Sequence, residues 1–201
     1  MTDPVRDSFS SVERRFLVPF RRAFAAVTSP AVRLLAALHV PPNAVSLSQV
    51  AIGIVIVLLM GEQPALATAL FFLTLVLDGL DGALARTYGQ SSQFGALVDQ
   101  VSDHVRETLM IAALALVGAL HPIPATMYGL VYALFNFLLF LCNYLGAPIP
   151  WAIKSYLVVY PGLILYGFFG INWLTPLVSV CIALMAFTIA MGLRNLSRVM
   201  P

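Results

Sequence analysis

Charge is what this chain has least of. Only 10% of its 201 residues are charged, against 60% hydrophobic. That composition cannot furnish the exterior of a soluble globule, which draws on roughly 25% charged residues. Cysteine is nearly absent as well. The two present, Cys142 and Cys181, lie inside apolar stretches and read as small core residues, which excludes a disulfide framework. There are only 3 histidines, and no Cys or His pair has the spacing of a zinc site. Polar–apolar alternation at the strand period is missing, which argues against a membrane barrel. A net charge of +2 provides no basic stripe for nucleic acid. Internal repeats and low-complexity segments are lacking too.

What the chain does have is long apolar runs. Each must supply about 20 helical residues to cross a hydrocarbon core of about 30 Å. Six such runs are present, near 44–61, 65–87, 94–120, 123–146, 153–170 and 173–198. The expected fold is therefore an all-α membrane protein with six transmembrane helices. The basic residues orient it. Arg6, Arg14, Arg15, Arg21, Arg22 and Arg33 precede the first run, Arg86 ends the second, and Arg106 lies in the first turns of the third. Lys154 opens the fifth, and Arg194 and Arg198 close the sixth. With six spans all of these fall on one side, and the opposite connections (GEQP, HPIP, GINWLT) carry no Lys or Arg. The positive-inside rule then places both termini in the cytoplasm.

The N-terminal stretch has a different pattern. Phe9, Val12, Phe16, Leu17, Phe20, Phe24 and Val27 fall on one helical arc, with Arg14, Arg15, Arg21 and Arg22 opposite. A basic amphipathic helix on the bilayer surface is expected there, with a kink at Pro19 and a second short helix over about 30–38, after Pro30. The expected division is residues 1–43 as surface helices and 44–201 as the membrane domain. Pro41 and Pro42 stop the surface segment, and Asn43 is the expected N-cap of the first span.

The few acidic residues are not scattered. Asp78, Asp81, Asp99, Asp103 and Glu107 make up five of the 9 in the chain. Asp78 and Asp81 share one helix face, Asp99 and Asp103 another, and a short turn near 87–93 lets the pairs converge at one depth. Carboxylates so crowded at a membrane edge repel, and cations are the remedy. An all-oxygen set favours Mg²⁺, Mn²⁺ or Ca²⁺. Two such cations with substrate phosphates would balance the site and suit phosphoryl transfer. Gly79, Gly82 and Gly95 permit close helix contact or close ligand approach. Arg86, at the mouth, suits either a phosphate clamp or a snorkelling interface arginine. His104 adjoins Asp103 but points elsewhere on the helix and reads as structural.

The segment fits D-x2-D-G-x2-A-R-x8-G-x3-D-x3-D at Asp78, Asp81, Gly82, Ala85, Arg86, Gly95, Asp99 and Asp103. This resembles the signature of the CDP-alcohol phosphotransferases, also called CDP-alcohol phosphatidyltransferases. The resemblance implies an enzyme that moves the phosphatidyl group of a CDP-linked lipid, typically CDP-diacylglycerol, to an alcohol acceptor with release of CMP. It implies two divalent cations, Mg²⁺ or Mn²⁺, held by Asp78, Asp81 and Asp99, with Asp103 completing the second site and acting as general base. Gly82, Ala85 and Arg86 would belong to the nucleotide pocket. The family's PN-x-x-T element is matched by Pro42, Asn43 and Ser46, with serine in place of threonine, and would touch the CDP head. A homodimer is also implied.

The acceptor is less legible. Arg106, Lys154, Arg194 and Arg198 are the remaining cations at that end of the later spans. Around an acceptor path they favour a phosphorylated polyol such as glycerol phosphate or inositol phosphate; the positive-inside rule alone also accounts for them. Asn136 and Asn143 share a face of the fourth span and suit a substrate cavity or interhelical bonding. An ion or proton-coupled transporter would also place carboxylates in the membrane, but its polar residues should reach both faces. A UbiA-type prenyltransferase uses aspartate-rich helices at other spacings, in longer chains. Reporter tags on each end, assayed in intact and permeabilised cells, are expected to show both termini in the cytoplasm. A C-terminus on the outside would overturn the six-span count.

Overall fold

The structure is a computed structural model that describes residues 24, 26–89, 91–147, 149 and 155–199. Among these residues the chain is helical throughout, with seven helices and no strand. They are α1 (Ala26–Ala37), α2 (Pro42–Leu59), α3 (Pro64–Thr87), α4 (Gln93–Leu116), α5 (Pro122–Tyr144), α6 (Ser155–Phe169) and α7 (Leu174–Val199). Four of them, α2, α3, α5 and α7, are long and apolar enough to cross a membrane. α4 has 24 residues but carries Asp99, Asp103, Arg106 and Glu107, and α6 has 15. The surface helix expected over 9–27 lies almost wholly outside the described residues.

Proline sets most of the helix starts. Pro42, Pro64 and Pro122 each occupy the first turn, where a missing N–H costs nothing and the fixed φ already suits a helix. This displaces the expected cap of α2. Pro41 takes the N-cap position, and Asn43 lies inside the first turn. Helix ends use left-handed glycines, with Gly118 (φ 71°) closing α4 and Gly170 (φ 69°) closing α6. At the end of α1 the left-handed position is filled by His39 (φ 54°), and Val40 N–H donates to Leu35 O at 3.0 Å. α1 also differs from expectation in running through Pro30. A proline within a helix forfeits one backbone bond, and here the helix continues past it.

Helix order in space departs from order in sequence. α2 packs against both α3 and α4, which touch each other only briefly. α7 packs on α5 and α6, and α6 returns to α3. The wedge of α2 holds α3 and α4 apart while keeping their polar ends within reach. α1 docks over this end of the bundle, where Val32 joins Val45 of α2 and Leu80, Ala83 and Leu84 of α3 in a small apolar cluster.

Lipid tails are as apolar as leucine, so contact between these helices rests on packing. Small residues mark the close crossings. A Cβ on Gly53 of α2 would stand 2.8 Å from Leu109 Cδ1 of α4. One on Gly192 of α7 would meet Leu138 Cδ2 at 2.6 Å and Ile149 Cδ1 at 2.9 Å. Gly129 on α5 has nothing within 4 Å. Gly192→Val is therefore expected to destabilise by about 1–3 kcal/mol through overpacking and to lower the melting temperature in detergent by several degrees. Gly129→Ala is the control and is expected to leave it unchanged.

Candidate metal and phosphate site

Three of the four aspartates converge across the two helices, and Asp81 is not among them. Carboxylate oxygens of Asp78 on α3 and of Asp99 and Asp103 on α4 lie within 4.8 Å of one another, and all three side chains are half-buried. Asp99 Oδ1 is buried and has no hydrogen-bond partner. Three carboxylates at this separation, one with an orphaned buried oxygen, fit a hard divalent cation bound through oxygen.

Asp81 has a different environment. It is 3% exposed, and its Oδ2 accepts the Ser46 hydroxyl at 2.6 Å and Gln49 Nε2 at 3.4 Å. Ser46, expected at the CDP head, is thus committed to Asp81. The wedge of α2 produces this contact, because Ser46 and Gln49 are three residues apart on its buried face.

The turn between α3 and α4 is built around Gly89 (φ 65°) and the Ser92 cap, whose hydroxyl accepts Gly95 N–H at 2.9 Å. A Cβ on Gly95 would stand 3.3 Å from Asn43 Oδ1, so the start of α2 meets the start of α4 there. Arg86 is exposed, and its guanidinium lies over Gly82, with Nη1 3.1 Å from where a Cβ would sit. Pro42, Asn43, Gly82 and Ala85 are half-buried at the same end of the bundle.

The described members of the expected acceptor set have separate surroundings. Arg106 is 3% exposed and turned inward, with Nη1 2.8 Å from Asp103 Oδ1 and a hydrogen bond to Gln49 Oε1. It underlies the carboxylates instead of lining an open path. Asn136 donates to Tyr132 O of its own helix at 2.9 Å, Asn143 is half-buried near the end of α5, and Arg194 is exposed on α7. Lys154 lies outside the described residues. His104 stacks on Tyr132, with ring centroids 5.1 Å apart at 11°, in keeping with a structural role.

Three participants went unforeseen. Gln49 bridges Asp81 and Arg106. Tyr128 and Tyr160 donate to Glu107 Oε1 and Oε2 at 2.6 Å and 2.9 Å. A signal was available in each case, since a glutamine inside an apolar span and an isolated buried glutamate both demand partners.

Comparison with known proteins agrees with this arrangement. The family model described as CDP-alcohol phosphatidyltransferase matches residues 39–193. The CDP-diacylglycerol–glycerol-3-phosphate 3-phosphatidyltransferase of Haemophilus influenzae is 43% identical over 56 residues, which are 28% of this chain and 29% of that protein. The phosphatidylinositol phosphate synthase of Mycobacterium marinum is 35% identical over 98 residues, 47% of this chain and 41% of that protein. The matched segments thus span less than half of either relative. In fold, the phosphatidylinositol phosphate synthase of Mycobacterium tuberculosis with CDP-DAG bound superposes at a TM-score of 0.73 and 18% identity. That match covers 85% of this chain and 93% of the other. The same enzyme with manganese and citrate gives a TM-score of 0.71 at 18% identity, covering 84% of this chain and 88% of the other. With the matched family model running through every helix from α2 to α6 and most of α7, the chain belongs to the CDP-alcohol phosphatidyltransferase family.

Proposed function

We propose that this chain is a membrane transferase, dependent on divalent metal, that moves the phosphatidyl group of a CDP-linked lipid to an alcohol acceptor and releases CMP. CDP-diacylglycerol is the donor we favour. The observation that carries this reading is the convergence of Asp78, Asp99 and Asp103 within 4.8 Å, set in a fixed Asp-Gly-Ala-Arg frame. Family membership supports the reaction class, and the manganese and CDP-DAG named with the Mycobacterium tuberculosis enzyme support the metal and the donor.

Asp78, Asp99 and Asp103 would hold two divalent cations, Mg²⁺ or Mn²⁺, with Asp81 adding its free coordination from the α2 side. When bound, those ions supply charge that offsets the pyrophosphate and the departing CMP. The protein's own groups do the rest. Arg86 steadies the nucleotide phosphates, and Gly82 leaves room for the head to lie close to α3. Asn43 and Pro42 border the nucleotide where α2 meets α4. The acceptor oxygen forms a bond to the lipid-side phosphorus, and the phosphorus–oxygen bond to CMP breaks. The hydroxyl proton passes to Asp103, whose side chain keeps 33% exposure although its Oδ1 is buried.

Residues 44–201 form the catalytic unit in this reading, with six membrane spans including the polar α4 and the short α6. Residues 1–43 are the surface helices. The termini and the site face the cytoplasm, where the donor's head group meets water while its tails stay in the bilayer, and the enzyme is a homodimer. For the acceptor we favour a phosphorylated polyol, glycerol phosphate or inositol phosphate. Exposed Arg194 and the glycerol 3-phosphate named for the Haemophilus influenzae relative support that choice.

Purified protein with CDP-diacylglycerol, Mn²⁺ or Mg²⁺ and a panel of alcohols is expected to release CMP only with metal, and fastest with a phosphorylated polyol. Asp103→Asn is expected to cut turnover by about 10²–10⁴-fold while retaining much of the CDP-lipid binding. Metal-independent turnover, or normal rates in Asp103→Asn, would remove the assignment.

A further inference from the structure

We infer that Arg106 is a positioning residue for the acidic site, holding one oxygen of Asp103 so that the other is left to react, and that Gln49 holds Arg106 in turn. This rests on the reading of Asp103 as the proton acceptor.

Arg106 follows Asp103 by three residues on α4, so its guanidinium approaches the carboxylate from one turn deeper in the bundle. Nη1 donates a hydrogen bond to Gln49 Oε1 and stands 2.8 Å from Asp103 Oδ1 as an ion pair. Gln49 is fully buried, and its Nε2 faces Asp81 Oδ2 at 3.4 Å. The amide therefore has a cation at its oxygen and a carboxylate at its nitrogen, and only one orientation satisfies both. The guanidinium also lies over the Phe71 ring, 6.0 Å from its centroid, with no route to solvent. An arginine so enclosed is a poor recruit for an incoming acceptor.

Glu107 is the obvious competitor for Arg106, being adjacent and 2% exposed. Both of its oxygens are already taken by Tyr128 and Tyr160. The tyrosine clamp thus leaves Arg106 to Asp103. A guanidinium held against Oδ1 repels a cation from that oxygen and so disfavours bidentate chelation by Asp103. Asp103 therefore presents a single oxygen to the open side, and the path Asp81–Gln49–Arg106–Asp103 ties that choice to the neighbouring aspartate across α2.

The experiment separates positioning from general damage by reading metal affinity apart from turnover. Arg106→Met is expected to lower kcat by about 100-fold with KM for CDP-diacylglycerol within about threefold. Mn²⁺ added without substrate, followed by loss of the free-ion EPR signal, should bind at least as tightly as to the unaltered protein, because a cation has left the cluster's side. Arg106→Lys is expected to restore part of kcat. Gln49→Ala keeps every charge and is expected to lower kcat by about tenfold at unchanged Mn²⁺ affinity. Wild-type kcat in Gln49→Ala, or Mn²⁺ affinity falling in step with kcat, would overturn the inference. If Arg106→Met does not fold, Gln49→Ala and Arg106→Lys decide by the same readouts. If the unaltered protein releases no CMP, the functional reading fails on its own. The bound-Mn²⁺ EPR spectra of Arg106→Met and the unaltered protein then judge the Arg106 contact, and identical spectra would refute it.

Discussion

Carboxylates repel one another more strongly as water is withdrawn, and here the carboxylates of Asp78, Asp99 and Asp103 share one end of an apolar bundle. Much of the architecture answers that repulsion. The wedge of α2 keeps α3 and α4 from closing, so Asp78 meets Asp99 and Asp103 only at the polar ends of the two helices. The same helix brings Ser46 and Gln49 to Asp81, satisfying an oxygen that burial would otherwise leave unpaired. Arg106 supplies a fixed positive charge from below. Hydrogen bonds, helix order and charge placement thus serve one electrostatic demand.

Much of this was legible before any coordinates. Apolar runs and prolines placed the helices from α2 to α7 close to their observed limits, because Pro42, Pro64 and Pro122 act locally and leave little choice of start. A spacing of four put Asp99 and Asp103 on one face, and a short turn brought Asp78 to them, while Asp81 turned to α2. Asn43 was misread as a cap, since the two prolines before it compete for the same few positions and a proline at the first turn prevails.

What stayed hidden depends on contacts between residues far apart in the chain. Gln49 and Arg106 are 57 positions apart, and Glu107 and Tyr160 are 53 apart. Neither pairing follows from any periodicity. Each requires knowing that α2 sits between α3 and α4, and that α5 packs on α4 while α6 reaches it through Tyr160. The inward turn of Arg106 has the same origin. Counting cations by side of the membrane says nothing of where its long side chain goes.

The tyrosine clamp on Glu107 has a consequence of an electrical kind. Charges set this deep in a bundle could open a leak if polar groups continued to the far face. Instead Tyr160 packs edge-on against Phe71 and Phe72 at 5.2 and 6.0 Å, and both oxygens of Glu107 end on phenolic hydroxyls. Beyond them lie Ile56, Met60, Ala67, Met110 and Leu114, all buried and all without a titratable group. Among the described residues the buried charges, Asp81, Arg106 and Glu107, therefore end at the tyrosine clamp, partway along the bundle. A protein of this design can run ionic chemistry at one membrane face while remaining an insulator across the other half.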